Sequence, residues 1–398
     1  MDGMTDIAPI TKLNTPADIV AFLPVLAGLP TRDSLVVAPF EGKSAARALR
    51  VGVPAEPTPA DARALASTVL GNLARMAHCD GVAVVVYRQE PFAQIAEPWR
   101  AALDIVLERL HSSGYCIKDA AIVAGDGWMP FFEGDVHAPS PLAEIEEATR
   151  RIPEEQDPGP DLQVLPPSEE QLTRTVTDLV LDRLVDGGET DAFGRFTPTE
   201  PPNPIDVLED ALKHDPARAN AQTLARVLAQ TDSEGAVDRT VLQIAFGPDI
   251  ASQSWAATLT IRAEAAEAGC SPIELMLERH GNGEDRQTRR IGDLLTGRTS
   301  EMPSRERLQA GAELLGRAVA HCTLPDRSWT MCALAWVRWA LGMKTAAFDL
   351  LDAAQRVDPG NSHVPVFQTA FDRLTPDWLF QRPPLNRQAR RRAAQGRR

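Results

Sequence analysis

The sequence predicts a small mixed α/β sheet domain followed by a larger helical domain with a tetratricopeptide-like hairpin near its end. Three observations carry this. Compact apolar runs alternate with helical patterns up to about residue 135. An acidic, proline-punctuated stretch follows, and strand patterns vanish from Ser168 onward. At roughly 150 residues per domain, the 398 residues leave room for two or three domains. The division read from the chain is 1–135 mixed α/β, 136–167 connector, 168–380 helical and 381–398 basic disordered tail.

In the first part, residues 17–26 form a short helix limited by Pro24 and Pro30. Ser34-Leu35-Val36-Val37-Ala38-Pro39-Phe40 reads as a buried strand, Glu41-Gly42-Lys43-Ser44 as a turn, and 47–53 as an antiparallel partner. Thr58-Pro59-Ala60-Asp61 opens a helix to about residue 77, with Thr58 as N-cap, Pro59 at the first helical position and Asp61 closing a capping box. A strand at 82–87, a helix at 92–112 ended by Gly114 and a strand at 117–123 come next. Gly125-Asp126-Gly127 turns the chain back into 128–132. Helices between strands predict parallel pairing, with hairpin strands at the edges.

Seven prolines punctuate 133–167, and 154–170 holds six acids and no base. This reads as a connector with one short helix at 142–152. Ser168-Glu169-Glu170-Gln171 then caps a helix to about residue 185. Further helices are predicted at 205–214, 217–231, 235–246, 250–268, 271–280, 284–296, 303–322, 327–341, 344–357 and 361–374. Trp336 to Gly342, Ala346-Ala347, Leu350-Leu351 and Asp358-Pro359 resemble one tetratricopeptide hairpin, in which a glycine permits the tight turn and alanines permit close helix contact. A single copy is also what an ordinary helical hairpin in a bundle looks like.

Charge and cysteine usage narrow the class. No stretch approaches the roughly 18 apolar residues of a membrane span, the N-terminus carries acid where a leader carries base, and five scattered cysteines do not make a disulfide framework. A cytoplasmic protein that does not use the membrane is expected. The net charge of -14 hides seven arginines and no acid in 381–398. The rest of the chain therefore carries -14 - 7 = -21. Arg387, Arg390, Arg391, Arg392, Arg397 and Arg398 make the tail a candidate polyanion-binding arm. Without an aromatic to stack a base, nucleic-acid binding through it would be weak. A solvated tail is the plainer reading.

Local motifs for chemistry fail on spacing. Gly42-Lys43-Ser44 lacks the glycine that a phosphate loop needs at position 37, which is Val37. His78-Cys79 and His321-Cys322 are adjacent pairs, which point about 100° apart on a helix and cannot face one ion, so no metal or other cofactor is expected. A site assembled from distant segments would gather at the carboxyl ends of parallel strands. There Tyr87, Arg88, Glu90, Asp126 and Trp128 are the candidates for a small-ligand crevice. Arg32 and Asp33 join them only if their strand runs in the right direction. Trp329, Trp336 and Trp339, at spacings of seven and three, form a stripe that is either core or a partner-binding surface.

The order of several short motifs resembles a known family. Leu23-Pro24, Leu26, Gly28-Leu29-Pro30 and Arg32-Asp33-Ser34-Leu35-Val36-Val37 resemble the opening of an actinobacterial family known as domain of unknown function 4192. Val84-Val85-Val86-Tyr87, Gly127-Trp128 and the block from Ala335-Trp336 to Asp358-Pro359 follow in the same order. The resemblance spans 14–378 and implies no activity or ligand. Glu133-Gly134-Asp135 stand where many members have a cysteine-bearing insert, so a metal site built on that insert is unsupported here.

The reading favoured by these features is an adaptor that binds another protein through its helical domain, with the arginine tail adding a contact to an acidic partner. No catalytic motif argues for an enzyme. The alternative is an α/β domain that binds or acts on a nucleotide or phosphorylated metabolite.

Overall fold

The computed structural model describes residues 15–27, 31–42, 44–45, 48–76, 79–152, 161–185, 189–190, 196–197, 203–270, 275 and 286–380. It divides into two compact units, Met1–Asp161 and Leu162–Arg398. The division falls at residue 161, and the short helix predicted at 142–152 belongs to the first unit.

The first unit holds α1 (Pro16–Ala27), β1 (Ser34–Glu41), β2 (Ser44–Ala45), β3 (Leu49–Gly52), α2 (Pro59–Leu73), β4 (Gly81–Tyr87), α3 (Phe92–Ser112), β5 (Cys116–Val123), β6 (Trp128–Pro130) and α4 (Ala143–Arg150). The six strands form one sheet in the order β2-β1-β4-β5-β6, with β3 also paired to β1. Its two faces follow from strand alternation. Val36, Ala38, Ala83, Val85, Tyr87, Ala121 and Trp128 pack under α1 and α4. The alternate residues Leu35, Val37, Val82, Val84, Val86 and Ile122 are also buried. That side is covered by α2 and α3, which pack on each other and on β3 and β5.

Among the described residues, parallel pairing is confined to β4 and β5. β1 inserts between β3 and β4 and runs antiparallel to both, so the expectation of parallel neighbours holds for one crossover only. The connection through α2 spans two strands separated by β1, an arrangement that local pattern does not encode. The direction of β1 also answers the question left open for Arg32 and Asp33. Ser34 pairs with Tyr87, Tyr87 with Val123 and Val123 with Trp128, so one row of residues crosses the sheet at the carboxyl edge of β4.

The capping box predicted at Thr58 is present. Thr58 and Asp61 exchange both bonds of a capping box, N–H to side chain at 2.9 and 3.2 Å, and the hydrogen bonds from Thr58 hold the Asp61 carboxyl below the usual carboxylate range. Gly42 sits at φ +62° in the hairpin joining β1 to β2, where Glu41 pairs with Ser44, the geometry of a hairpin turn and not of a phosphate loop.

The second unit contains α5 (Glu170–Val185), a two-residue ladder of β7 (Glu189–Thr190) with β8 (Phe196–Thr197), α6 (Pro204–Lys213), a 3-10 turn (Pro216–Arg218), α7 (Ala221–Ala229), α8 (Glu234–Phe246) and α9 (Pro248–Ala268). Then come α10 (Arg286–Leu295), α11 (Arg305–Ala320), α12 (Arg327–Ala340), α13 (Lys344–Val357), α14 (His363–Arg373) and a 3-10 turn (Asp377–Leu379). The ladder corrects the expectation that strands end at Ser168. The helix predicted at 217–231 is a 3-10 turn and a separate helix, divided at Ala219-Asn220, and Asn220 caps the second through the Thr223 N–H at 3.0 Å. The helix predicted at 271–280 lies outside the described residues except for Leu275.

The centre of this unit is α12, buried at every position except Arg327 and Trp329. It packs on α8, α11, α13 and α14. Its hairpin with α13 turns at Gly342, φ +88°, as the tetratricopeptide-like pattern requires. Trp339 stacks on Phe371 with ring centroids 4.8 Å apart, and Trp336 and Trp378 close the aromatic cluster. Each indole N–H reaches a backbone carbonyl: Trp336 to Leu295 at 2.8 Å, Trp378 to Ala340 at 3.0 Å and Trp339 to Leu374 at 3.4 Å.

A second clamp joins α6, α8 and α11. Arg307 donates to both carboxylate oxygens of Glu209, at 3.1 and 2.6 Å, and to the Gln243 carbonyl at 2.8 Å. Burial raises the Glu209 pKa, but the hydrogen bonds from Arg307 and Gln243 outweigh it and hold the carboxyl low. Truncating Trp339 to alanine removes the stacked ring from this core and should destabilise the helical unit by about 3–5 kcal/mol, read as a lower urea midpoint for helix unfolding.

Candidate functional site

The carboxyl edge of β4 gathers charge from several segments. Arg88, just past β4, is 4% exposed, and a guanidinium buried to that degree needs partners on every side. Glu90 receives two of its N–H groups, one at 3.0 Å from Nε and a second, shorter one from Nη2. Nη1 donates to the Pro54 carbonyl at 3.3 Å and lies 3.4 Å from Asp33 Oδ1. Asp33 itself holds φ +45°, a left-handed conformation that aspartate tolerates better than most side chains.

The string continues along the edge. Burial pulls the Arg50 guanidinium down to about 10, against the opposing attraction of Asp161 and Asp33. Arg50 donates to the Arg32 carbonyl at 2.9 Å, and Arg32 Nε lies 3.6 Å from Asp161. Three arginines and three carboxylates thus alternate as Glu90, Arg88, Asp33, Arg50, Asp161, Arg32, and their charges cancel.

The remaining crevice candidates are structural in the same sense. Asp126 Oδ1 accepts the Phe92 N–H at 2.6 Å, so an internal carboxylate occupies the anion position at the N-terminus of α3. Gly125 N–H bonds the Glu90 carbonyl at 3.0 Å. A Cβ at Gly125 would lie 2.3 Å from the Gln89 carbonyl oxygen, which leaves no gap between the two loops. Tyr87 donates to the Val20 carbonyl at 2.6 Å and is buried, which drives its pKa up. Trp128 is buried under α1 and α4, with its Nε1 unpartnered. The five candidates therefore do share one edge, but as contacts that close it.

Among the tryptophans proposed for partner binding, Trp336 and Trp339 are core residues, 0% and 1% exposed. Trp329 is half-buried beside His363, whose Nε2 lies 3.2 Å from Asp238 Oδ1. No surface stripe exists for a partner at Trp336 and Trp339. The six arginines of the tail lie outside the described residues. Among the described residues no group of three or more His, Cys, Asp or Glu side chains could hold a metal ion, and no helix is long and apolar enough to cross a membrane.

Open concavities occur instead on the helical unit, at residues that sequence reasoning did not single out. One, of about 490 Å³, runs along α5 and is lined by Ser168, Thr173, Thr177, Thr323 and the charged Glu170, Arg174 and Asp178. The other, of about 430 Å³, shares Ser168 with it and lies over α11, α12 and α13. Buried His321 fixes the start of α5 between them: its Nδ1 pairs with the Arg317 carbonyl at 2.8 Å and its Nε2 accepts the Glu169 N–H at 3.2 Å. No sequence signal marks either concavity, because each draws on segments separated by more than a hundred residues.

Three substitutions test the closed reading of the sheet edge. Gly125→Ala should lower the melting temperature of the first unit, since the methyl group meets backbone. Asp126→Ala should cost about 1–2 kcal/mol by exposing an orphan helix-terminal N–H. Arg88→Met acts with a pH signature. The Arg88 hydrogen bond holds the Glu90 carboxyl below its ordinary value, so that contribution is complete above about pH 4.3 and disappears as pH falls through the folded value. The gap in urea midpoint between wild type and Arg88→Met should therefore narrow from pH 7 to pH 3.

Comparison with known proteins places the chain by family alone. The family model described as Domain of unknown function (DUF4192) matches residues 16–377. No curated protein and no solved structure matches the chain. The motifs from Leu23-Pro24 to Asp358-Pro359 thus fall in a single matched span, and the chain belongs to the DUF4192 family.

Proposed function

We propose that this protein is an adaptor that binds another protein through its helical unit, with the arginine-rich segment 381–398 adding an electrostatic contact to an acidic surface of the partner. The observation that carries the reading is a contrast between the two units. At the sheet edge, the places where a nucleotide or phosphorylated metabolite would bind are filled by the chain's own carboxylates, Asp126 at the α3 N-terminus and Glu90 and Asp33 on Arg88. The helical unit instead presents two adjoining open grooves. Grooves between packed helices suit an extended or helical segment of a partner. The net charge of -14 on the whole chain makes non-specific attraction to nucleic acid weak at physiological salt, where charges beyond about 8 Å are screened.

The test is affinity capture from cells that natively produce the protein, using the intact chain and a chain ending at Phe380, with and without nuclease. A protein retained in equimolar amount by both chains after nuclease, and released from the shorter one at lower salt, is the expected result. Nothing equimolar on either chain, or material that disappears with nuclease, overturns the reading.

A further inference from the structure

We propose that the groove over α11, α12 and α13 is the docking site, and that its occupant is a segment of a partner protein in which carboxylates flank an apolar side chain. This rests on the adaptor reading and names the chemistry of the contact. The floor is apolar: Leu165 and Pro166 from the segment before α5, Met331 of α12 and Val357 of α13. Pro166 lies against α11, its Cδ 3.7 Å from where a Cβ at Gly316 would stand, so the small residue lets this wall approach closely.

Two arginines, Arg327 and Arg356, line the same groove, and no carboxylate does. Arg356 is exposed and makes no hydrogen bond or ion pair among the described residues. Arg327 holds the Cys322 carbonyl through Nη1, while its buried Nε has no acceptor. Several other arginines of the chain do have a carboxylate partner within their own unit. Arg88 has Glu90 and Asp33, Arg307 has Glu209, Arg290 has Glu301 and Arg174 has Glu170. In a chain with 55 acidic side chains against 41 basic ones, a concave spot that carries only positive charge is complementary to acid.

The size and shape restrict the occupant further. About 430 Å³ is within the range of a small-ligand pocket, roughly 300–1,000 Å³, but this groove is open along its length. It accommodates one anchoring side chain with backbone on either side. Arginine recognises carboxylate through paired N–H groups, and the apolar floor accepts the side chain between the carboxylates. Because the whole chain is acidic, long-range attraction does not guide such a segment in. The contact depends on short-range pairing at the two arginines and on the floor.

The experiment uses the full-length chain and a phage-displayed library of random dodecapeptides. Enriched peptides should carry at least two Asp or Glu beside a Leu, Ile, Met or aromatic residue. The best of them, made synthetically and titrated by fluorescence polarisation, should lose at least tenfold in affinity to Arg356→Glu and to Ala353→Trp, which fills the groove from α13. Arg356→Lys, which keeps the charge but loses the paired N–H groups, should bind more weakly than wild type and more tightly than Arg356→Glu. Circular dichroism melts equal to wild type show that the losses are not unfolding. Enrichment of peptides without acid, or acidic peptides indifferent to both variants, overturns the groove while leaving the adaptor reading intact. No enrichment overturns the groove. Binding to phosphatidylserine vesicles that Arg356→Glu abolishes, with no peptide bound, assigns the arginines to a lipid surface and overturns the peptide proposal. The adaptor reading itself fails only through the capture experiment.

Discussion

A guanidinium buried at the end of a strand demands counter-charge, and the carboxyl edge of this sheet is organised by meeting that demand at Arg88. The carboxylates come from two directions: Glu90, two residues on, and Asp33, which precedes β1. Asp33 reaches Arg88 only because β1 runs antiparallel to β4 and starts where β4 ends. The left-handed backbone at Asp33 is tolerable because this pairing, the strand that follows and the Arg50 charge beside it hold the residue in place. The same edge would be the natural ligand crevice of a fully parallel sheet. Inserting one antiparallel strand adds Asp33 to Glu90 where a ligand's phosphate would otherwise meet the Arg88 guanidinium. Asp126 does the same for α3. The edge is charged because it is closed, and the density of polar side chains there is an effect of packing.

The helical unit solves a different problem. A helix surrounded on all sides must present small or apolar residues in every direction, and α12 does so with Ala333, Ala335 and Ala340 among Leu334, Trp336, Val337 and Trp339. Its two buried hydroxyl residues are paired: Thr330 with Thr231 at 2.5 Å, and Ser328 with Asn361 at 2.9 Å and Asp358 at 3.3 Å. The Asp358 to His363 segment that joins α13 to α14 is thereby tied to the central helix. Tight closure at the core leaves the exposed ends of α11, α12 and α13 as the place where shape is incomplete. That is where the groove lies.

What the sequence could convey follows from how far each feature reaches along the chain. The helices at 92–112 and 344–357 are legible residue for residue, because a periodic apolar face and a boundary residue are both local. The capping box at Thr58 is legible for the same reason, although α2 stops at Leu73, short of the expected 77. Strand partnership is not local: nothing in the β1 run tells whether it lies beside β4 or beyond it. The β7 and β8 ladders have two residues each, too few to show any period. The tryptophan stripe misleads for another reason. Spacings of seven and three identify one face of a helix, but α12 is buried around nearly its whole circumference, so sharing a face carries no information about exposure. Trp329, nearest the helix start, is the one left half-buried.

The same logic explains why the candidate site lies at other residues than those the sequence points to. Residues that attract attention in a sequence are polar ones at strand ends and large aromatics, and both types serve equally well to close a structure. Arg88, Asp126, Trp336 and Trp339 are each saturated by contacts within their own unit. A surface meant for a partner has the opposite property: groups whose interactions are left incomplete at small cost in water. An exposed arginine such as Arg356 needs no internal carboxylate to be stable, because solvent satisfies it, and partly exposed Leu165, Pro166 and Val357 are individually ordinary. Their significance arises only in combination, from positive charge without acid above an apolar floor. That combination is assembled from three helices and an incoming segment, and it becomes visible only once the chain is folded.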